Sequence, residues 1–190
     1  MTAQTHLPSR EQAWALLCEY TGSDSLRKHA LGVEATMRAY ARHYGEDEER
    51  WGLVGLLHDF DYERYPSREE HPRKGSEILE AQGYPDDIRY AILCHAPYLG
   101  LERKSRMDKA ILAVDELVGF ITAVALIQPN KRLTEVKVSS VKKKLKDKAF
   151  ARSVIREDIY LGMADLGVTL DDHIAFVMQA MLPLADQLGL

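Results

Sequence analysis

Cysteine is nearly absent: Cys18 and Cys94 are the two in 190 residues, and they form neither a CxxC pair nor a framework spacing. A disulfide scaffold and a cysteine-built structural zinc site are therefore excluded, and free thiols in a reducing compartment, the cytoplasm, are expected. Long apolar runs are missing too. The longest, Ala110 to Ile127, is broken by Asp115 and Glu116, which makes it a core helix rather than a membrane span. The opening MTAQTHLPSREQAW has no basic segment followed by an apolar one, so no signal peptide is read there. Neither period-2 alternation nor an internal repeat occurs, which argues against a sheet-based or repeat architecture. Charge of one sign is not in excess: the net charge of −4 and a pI near 6.0 give no global attraction to nucleic acid or anionic membranes. Any anion site must be local.

What is present is helical periodicity almost throughout, and an all-α fold is expected. Pro8 and Ser9 introduce a short helix to Tyr20. Ser23 caps a helix to Tyr44 whose apolar stripe is Leu26, Ala30, Val33, Met37, Tyr40 and Tyr44, and Gly45 stops it. A third helix starts at Glu46–Glu48 and reaches His58 and Asp59 near its end. Pro72 opens a helix to Gln82, Pro85 one through His95, and a long helix runs from about Ser105 to Gln128. Further on, Ser139 or Ser140 caps a lysine-rich helix at 139–152, and Thr169 with Asp172 opens the last one. One domain spanning 1–190 is expected, with a core at about 23–128 and a helical extension at about 129–190.

Polar residues on apolar stripes carry the chemistry. His29 lies within the second helix's stripe, His58 and Asp59 follow the apolar run WGLVGLL, His95 shares the face of Ile88, Ala91 and Ile92, and Asp115 sits between Ile111 and Val118. His71 stands at a helix mouth. Each alone is most simply a satisfied core residue, with a backbone carbonyl for a histidine and an arginine for Asp115. Jointly, inward-facing imidazoles and carboxylates from different helices make a divalent metal site of mixed nitrogen and oxygen donors, which suits Fe, Mn, Co or Zn better than Ca or Mg.

The order His, His-Asp, His, His, Asp resembles the HD superfamily of metal-dependent phosphohydrolases over about Leu26 to Gln128. The segments KHALGVE, LLHDFD, EHPRKGSEIL, AILCHAP and AVDEL carry the likeness. It implies an HD-domain-like helical bundle in which His29, His58, Asp59 and Asp115 hold one divalent metal. Relatives with the two intervening histidines add His71 and His95 for a second ion bridged by Asp59, Fe or Mn being favoured, with Co, Zn or Mg as alternatives. The implied activity is hydrolysis of a small phosphate ester, such as a nucleotide, by a metal-bound hydroxide. Many relatives follow His-Asp with Gly and Lys, whereas this chain has Phe60, Asp61 and Tyr62. That departure keeps two alternatives open, an HD-type di-iron oxygenase and a non-catalytic metal- and ligand-binding regulatory domain.

Proton transfer is assigned to Asp61 or Glu63, the carboxylates nearest the His-Asp pair. A phosphate would need donors, and Lys28, Arg64, Arg68, Arg73 and Lys74 lie near ligands in sequence. Lys74 is chosen, three residues beyond His71 on the same helix face. The lysine-rich run has an apolar stripe of Val141, Leu145 and Ala149 beneath it, so an amphipathic helix with a solvated face is expected rather than a nucleic-acid surface. The expected partner is a small phosphate ester, with neither nucleic acid nor membrane.

Overall fold

The computed structural model describes residues 7–190. His6 lies outside them. Helices α1 (Arg10–Tyr20), α2 (Asp24–Tyr44), α3 (Glu48–Leu57), α4 (Arg73–Ala81), α5 (Asp86–Cys94), α6 (Arg106–Leu126), α7 (Val138–Leu145), α8 (Arg156–Leu166) and α9 (Leu170–Met181) follow one another, and a short helix, Ala185–Leu188, comes last. No strand occurs among the described residues, and the fold is all-α as expected.

The caps explain the boundaries. Ser9 and Ser105 form capping boxes with Gln12 and Asp108, and Ser23 and Thr169 accept the N–H groups of Leu26 and Asp172. Gly45, at φ 69°, takes the left-handed conformation that ends α2 and folds α3 back along it. At Gly55 the two backbones touch: a Cβ there would lie 2.8 Å from Glu34 Cα. This antiparallel pairing fixes the site, because His29 lies five residues beyond the contact on α2 and His58 three residues beyond it at the end of α3, about 7 and 5 Å along the helices in the same direction. The buried Glu34 carboxylate accepts from Arg10 at 2.7 and 2.8 Å and from Arg38 at 3.0 Å, which ties α1 to the hairpin.

Helix α6 crosses α2, α3 and α5, which brings Asp115 to the same end. Its core face, including Ile111, Val114, Leu117, Val118 and Ile121, is wholly buried. Two expectations need correction in the C-terminal third. The lysine-rich helix begins at Val138, ahead of Ser139 and Ser140, and has no side-chain cap. It stops at Leu145, where Asp147 turns back to accept from the Ala149 N–H at 3.1 Å. Arg156 then gathers the segment, donating to the carbonyls of Leu145, Asp147, Phe150, Ala151 and Val154. Ala149 is exposed, and Phe150 instead packs edge-on against Phe120 at 5.5 Å. Helix α8, which the periodicity does not announce, lies along α6 so closely that a Cβ on Gly162 would sit 2.4 Å from Ala113 Cα. Buried His173 joins α9 to the core: its Nε2 donates to Ala113 O at 2.8 Å and its Nδ1 accepts from the Tyr40 hydroxyl at 2.6 Å.

Among the described residues no helix is long and apolar enough to cross a membrane.

Candidate metal centre

Helix ends do the positioning. Helix α3 stops at Leu57, one residue before the His-Asp pair, and His58 occupies its C-cap; His95 occupies the C-cap of α5. Carbonyls in a last turn run short of intrahelical donors. His58 Nδ1 donates to Gly55 O at 2.8 Å, and His95 Nδ1 to Ile92 O at 2.5 Å. His71 Nδ1 donates to Asp61 Oδ1 at 2.8 Å. A carbonyl or carboxylate can only accept, so Nδ1 carries the proton in all three, and Nε2 faces the interior of the site.

The Nε2 atoms converge on carboxylates. His29 Nε2 lies 2.9 Å from Asp115 Oδ1 and 3.3 Å from His58 Nε2, which is itself 3.3 Å from Asp115 Oδ1 and 3.5 Å from Asp59 Oδ2. On the other side, Asp59 Oδ1 lies 3.1 Å from His71 Nε2 and 3.3 Å from His95 Nε2, and those two nitrogens are 3.2 Å apart. Two donor groups result, His29, His58, Asp59, Asp115 and Asp59, His71, His95, each with ligand atoms within 4.8 Å of one another. Asp59 turns one oxygen to each.

These residues fit a divalent metal. With neutral imidazoles, Nε2 lone pairs would face carboxylate oxygens and one another at little over 3 Å, a repulsive arrangement that positive charge must relieve. The protein without metal answers with protons. Burial pushes His58 down, but Asp59 and then Asp115 outweigh it and raise the imidazole to about 9. Burial likewise opposes protonation of His71, while hydrogen bonds to Asp59 and Asp61 raise it to about 9. Burial also works against the charge on Asp59, yet His58, His71 and His95 hold its carboxyl well below the usual range. Asp115 is held low by His58 and His29 in spite of its burial. A metal ion would supply the same positive charge to the same lone pairs.

The centre opens into a cavity of about 500 Å³, lined among others by Tyr62, Arg68, Tyr98, Glu116, Ile155 and Asp158. Burial first, then the charge of Asp115, pushes the Glu116 carboxyl up to about 8. Asp158 is raised by burial and Asp115 as well.

The structure brings together His29, His58, Asp59, His71, His95 and Asp115. It separates the other three candidates from the cavity. Asp61 is wholly buried, with its oxygens taken by His71 Nδ1 and the Gly75 N–H at 2.8 Å each, so it orients the His71 ring rather than facing the cavity. Residue 75 must be glycine for this, since a Cβ there would lie 2.8 Å from Asp61 Cγ. Glu63 accepts from the N–H groups of Gly22 and Ser23 at 2.7 and 3.1 Å, closing the turn before α2. Lys74 is exposed and paired with Glu77 at 2.7 Å. Of the cations near ligands in sequence, Arg68 reaches the cavity wall, while Arg64 sits over the Tyr20 ring at 4.0 Å. Glu116 and Asp158 are not among the residues that the sequence singles out. Glu116 adjoins Asp115 and could have been flagged by that alone; Asp158 arrives by tertiary packing of α8 and leaves no local signal.

An all-α bundle that gathers these His and Asp side chains is an architecture able to hold a divalent metal. The family model described as HD domain matches residues 26–117, a stretch that holds all six clustered residues. The match and the donor set together support a metal-dependent function of the HD type, in a family composed mostly of metal-dependent hydrolases. No curated protein and no solved structure matches the chain.

Proposed function

We propose that the protein is a metal-dependent phosphohydrolase that cleaves an organic phosphate ester. The supporting observation is the double donor group sharing Asp59 at the floor of an open cavity. His29, His58, Asp59 and Asp115 would hold one divalent ion and Asp59, His71 and His95 a second, Fe or Mn by the mixture of nitrogen and oxygen donors. Such ions, when bound, lower the pKa of water and neutralise charge on phosphoryl oxygens. The chain supplies the rest. Arg68, whose guanidinium lies 5.2 Å over the Tyr98 ring, offers paired N–H donors to a phosphoryl group. Glu116 and Asp158 are the wall carboxyls outside the donor groups, and they replace Asp61 and Glu63 as the groups placed to pass a proton to the leaving oxygen. Because Ser153, Ile155 and Asp158 belong to the C-terminal third, we take the chain as one working unit acting on a small molecule in the cytoplasm.

The test is a panel of phosphate esters assayed with Mn and with Fe while oxygen consumption is followed in parallel. Phosphate release without oxygen uptake is expected. Substrate-dependent oxygen uptake would replace this reading with a di-iron oxygenase, and silence in both would leave a regulatory domain that binds metal. If Glu116 carries the proton, Glu116→Gln should keep its metal and lose turnover by about 10²- to 10⁴-fold.

A further inference from the structure

A second cavity, of about 550 Å³, adjoins the metal centre and shares Leu26, His29, Gly119 and Ser153 with the first. The two meet beside His29, a proposed ligand. Gly119 presents no side chain at the junction, and a Cβ there would lie 3.9 Å from the His29 ring. The second cavity's chemistry is different. Leu126, Leu188 and Leu190 line it with Thr122, and the charged pair at its rim is already matched, Lys28 Nζ standing 2.8 Å from Asp24 Oδ2. Its lining is mainly apolar.

Half of the eight large hydrophobic residues left exposed among the described residues stand on these two walls. Among the described residues, Tyr62, Tyr98 and Ile155 are large hydrophobic side chains left 41–44% exposed, and all three stand on the wall of the metal cavity; Leu126, 47% exposed, stands on the wall of the second. Apolar surface held open around a metal centre and continued into an adjoining apolar cavity matches a ligand with an apolar body.

We propose that the second cavity binds the organic portion of the substrate, and that the substrate is a phosphate monoester of an extended apolar alcohol rather than of a small polyol. The assignment of the phosphoryl end rests on the function proposed above; the apolar subsite stands on the cavity itself. Thr122 and Leu126 determine specificity. They lie on α6, one and two turns beyond Gly119, and neither contacts the metal centre's donor atoms.

Binding to the Mn-loaded full-length protein, measured by calorimetry with two series of ligands from methyl to octyl, tests this. The n-alkyl phosphonates carry the phosphoryl mimic and the n-alkanols do not. Affinity should climb with chain length in both series, by about 50-fold from methyl to octyl, or roughly 1.7-fold for each added, partly buried methylene. Thr122→Trp, which fills the cavity, should abolish that gain while leaving methylphosphonate binding and metal content unchanged. Leu126→Asp alters an exposed position and guards against misfolding of the first variant; it should cut the gain at least five-fold. A chain-length gain with phosphonates no tighter than alkanols would uphold the subsite and remove the phosphate reading. Phosphonates favoured over alkanols without any chain-length gain would do the reverse. A gain that survives in both variants would place the chain elsewhere and overturn the proposal.

Discussion

Asp61 shows how one residue can matter to a candidate metal centre without joining its donor groups. Its carboxylate holds the His71 imidazole by Nδ1 and is itself held by the Gly75 N–H. Asp61→Ala should therefore weaken metal binding about 10- to 100-fold at the His71, His95 position and leave the position built on His29, His58 and Asp115 nearly intact. Equilibrium titration with Mn reads both steps; equal loss at both would show that Asp61 supports the fold at large. At this scale His29, His58, Asp59, His95 and Asp115 were legible because each occupies an apolar stripe or its end, where an uncompensated polar group is costly, whereas His71, at a helix mouth, was reached through the order of the motif. Asp61, Glu63 and Lys74 were misplaced for a common reason. They lie in or beside the irregular stretch between α3 and α4, where nearness in sequence to a ligand says nothing about which way a side chain turns. The buried pairing of Asp61 depends on a backbone N–H fourteen residues away.

Elements were legible where they carry their own start and stop signals. Ser9, Ser23, Ser105 and Thr169 cap helices, and Gly45 ends one, as their residue types imply. The stretch from Leu145 to Ile155 was not, because its conformation is set by Arg156 reaching back to five carbonyls, an interaction no period reveals. Helix α8 matters to the site through the closeness of its approach to α6. Gly162→Val puts its branched side chain where the Ala113 backbone lies, so it should destabilise the protein by about 1–3 kcal/mol or more. It should also displace Asp158 and Ile155 from the cavity wall. Denaturant unfolding checks the first effect. Wild-type stability in the variant would contradict the packing of α8 described above.

On the scale of the whole molecule, helices far apart in sequence are held together at a core of charge, and that gives stability a pH signature. Without metal, His58 and His71 are raised from an ordinary 6.5 to about 9, so between these values the folded chain binds protons that the unfolded chain releases. Their contribution is complete below pH 6.5 and is lost as pH rises through about 9. The depressed carboxyls of Asp59 and Asp115 act in the opposite sense, but only at acid pH, below their ordinary value of 3.8. The melting temperature of metal-stripped protein should accordingly fall from pH 6.5 to 9, and metal loading should flatten the curve because the same nitrogens are then occupied. A stripped protein that gains stability over that range would show that protons do not substitute for a cation here. The cavities escape sequence reading altogether, since their walls join α2, α6, the segment after α7 and the last residues of the chain. The central claim is that Asp59 serves two metal positions at once, with Oδ2 turned to one and Oδ1 to the other. Elemental analysis of the wild type beside Asp59→Ala, His71→Ala and His95→Ala tests it most directly. Up to two ions per chain are predicted for the wild type, about one for each histidine variant and almost none for Asp59→Ala, whereas a full metal complement in folded Asp59→Ala would contradict it.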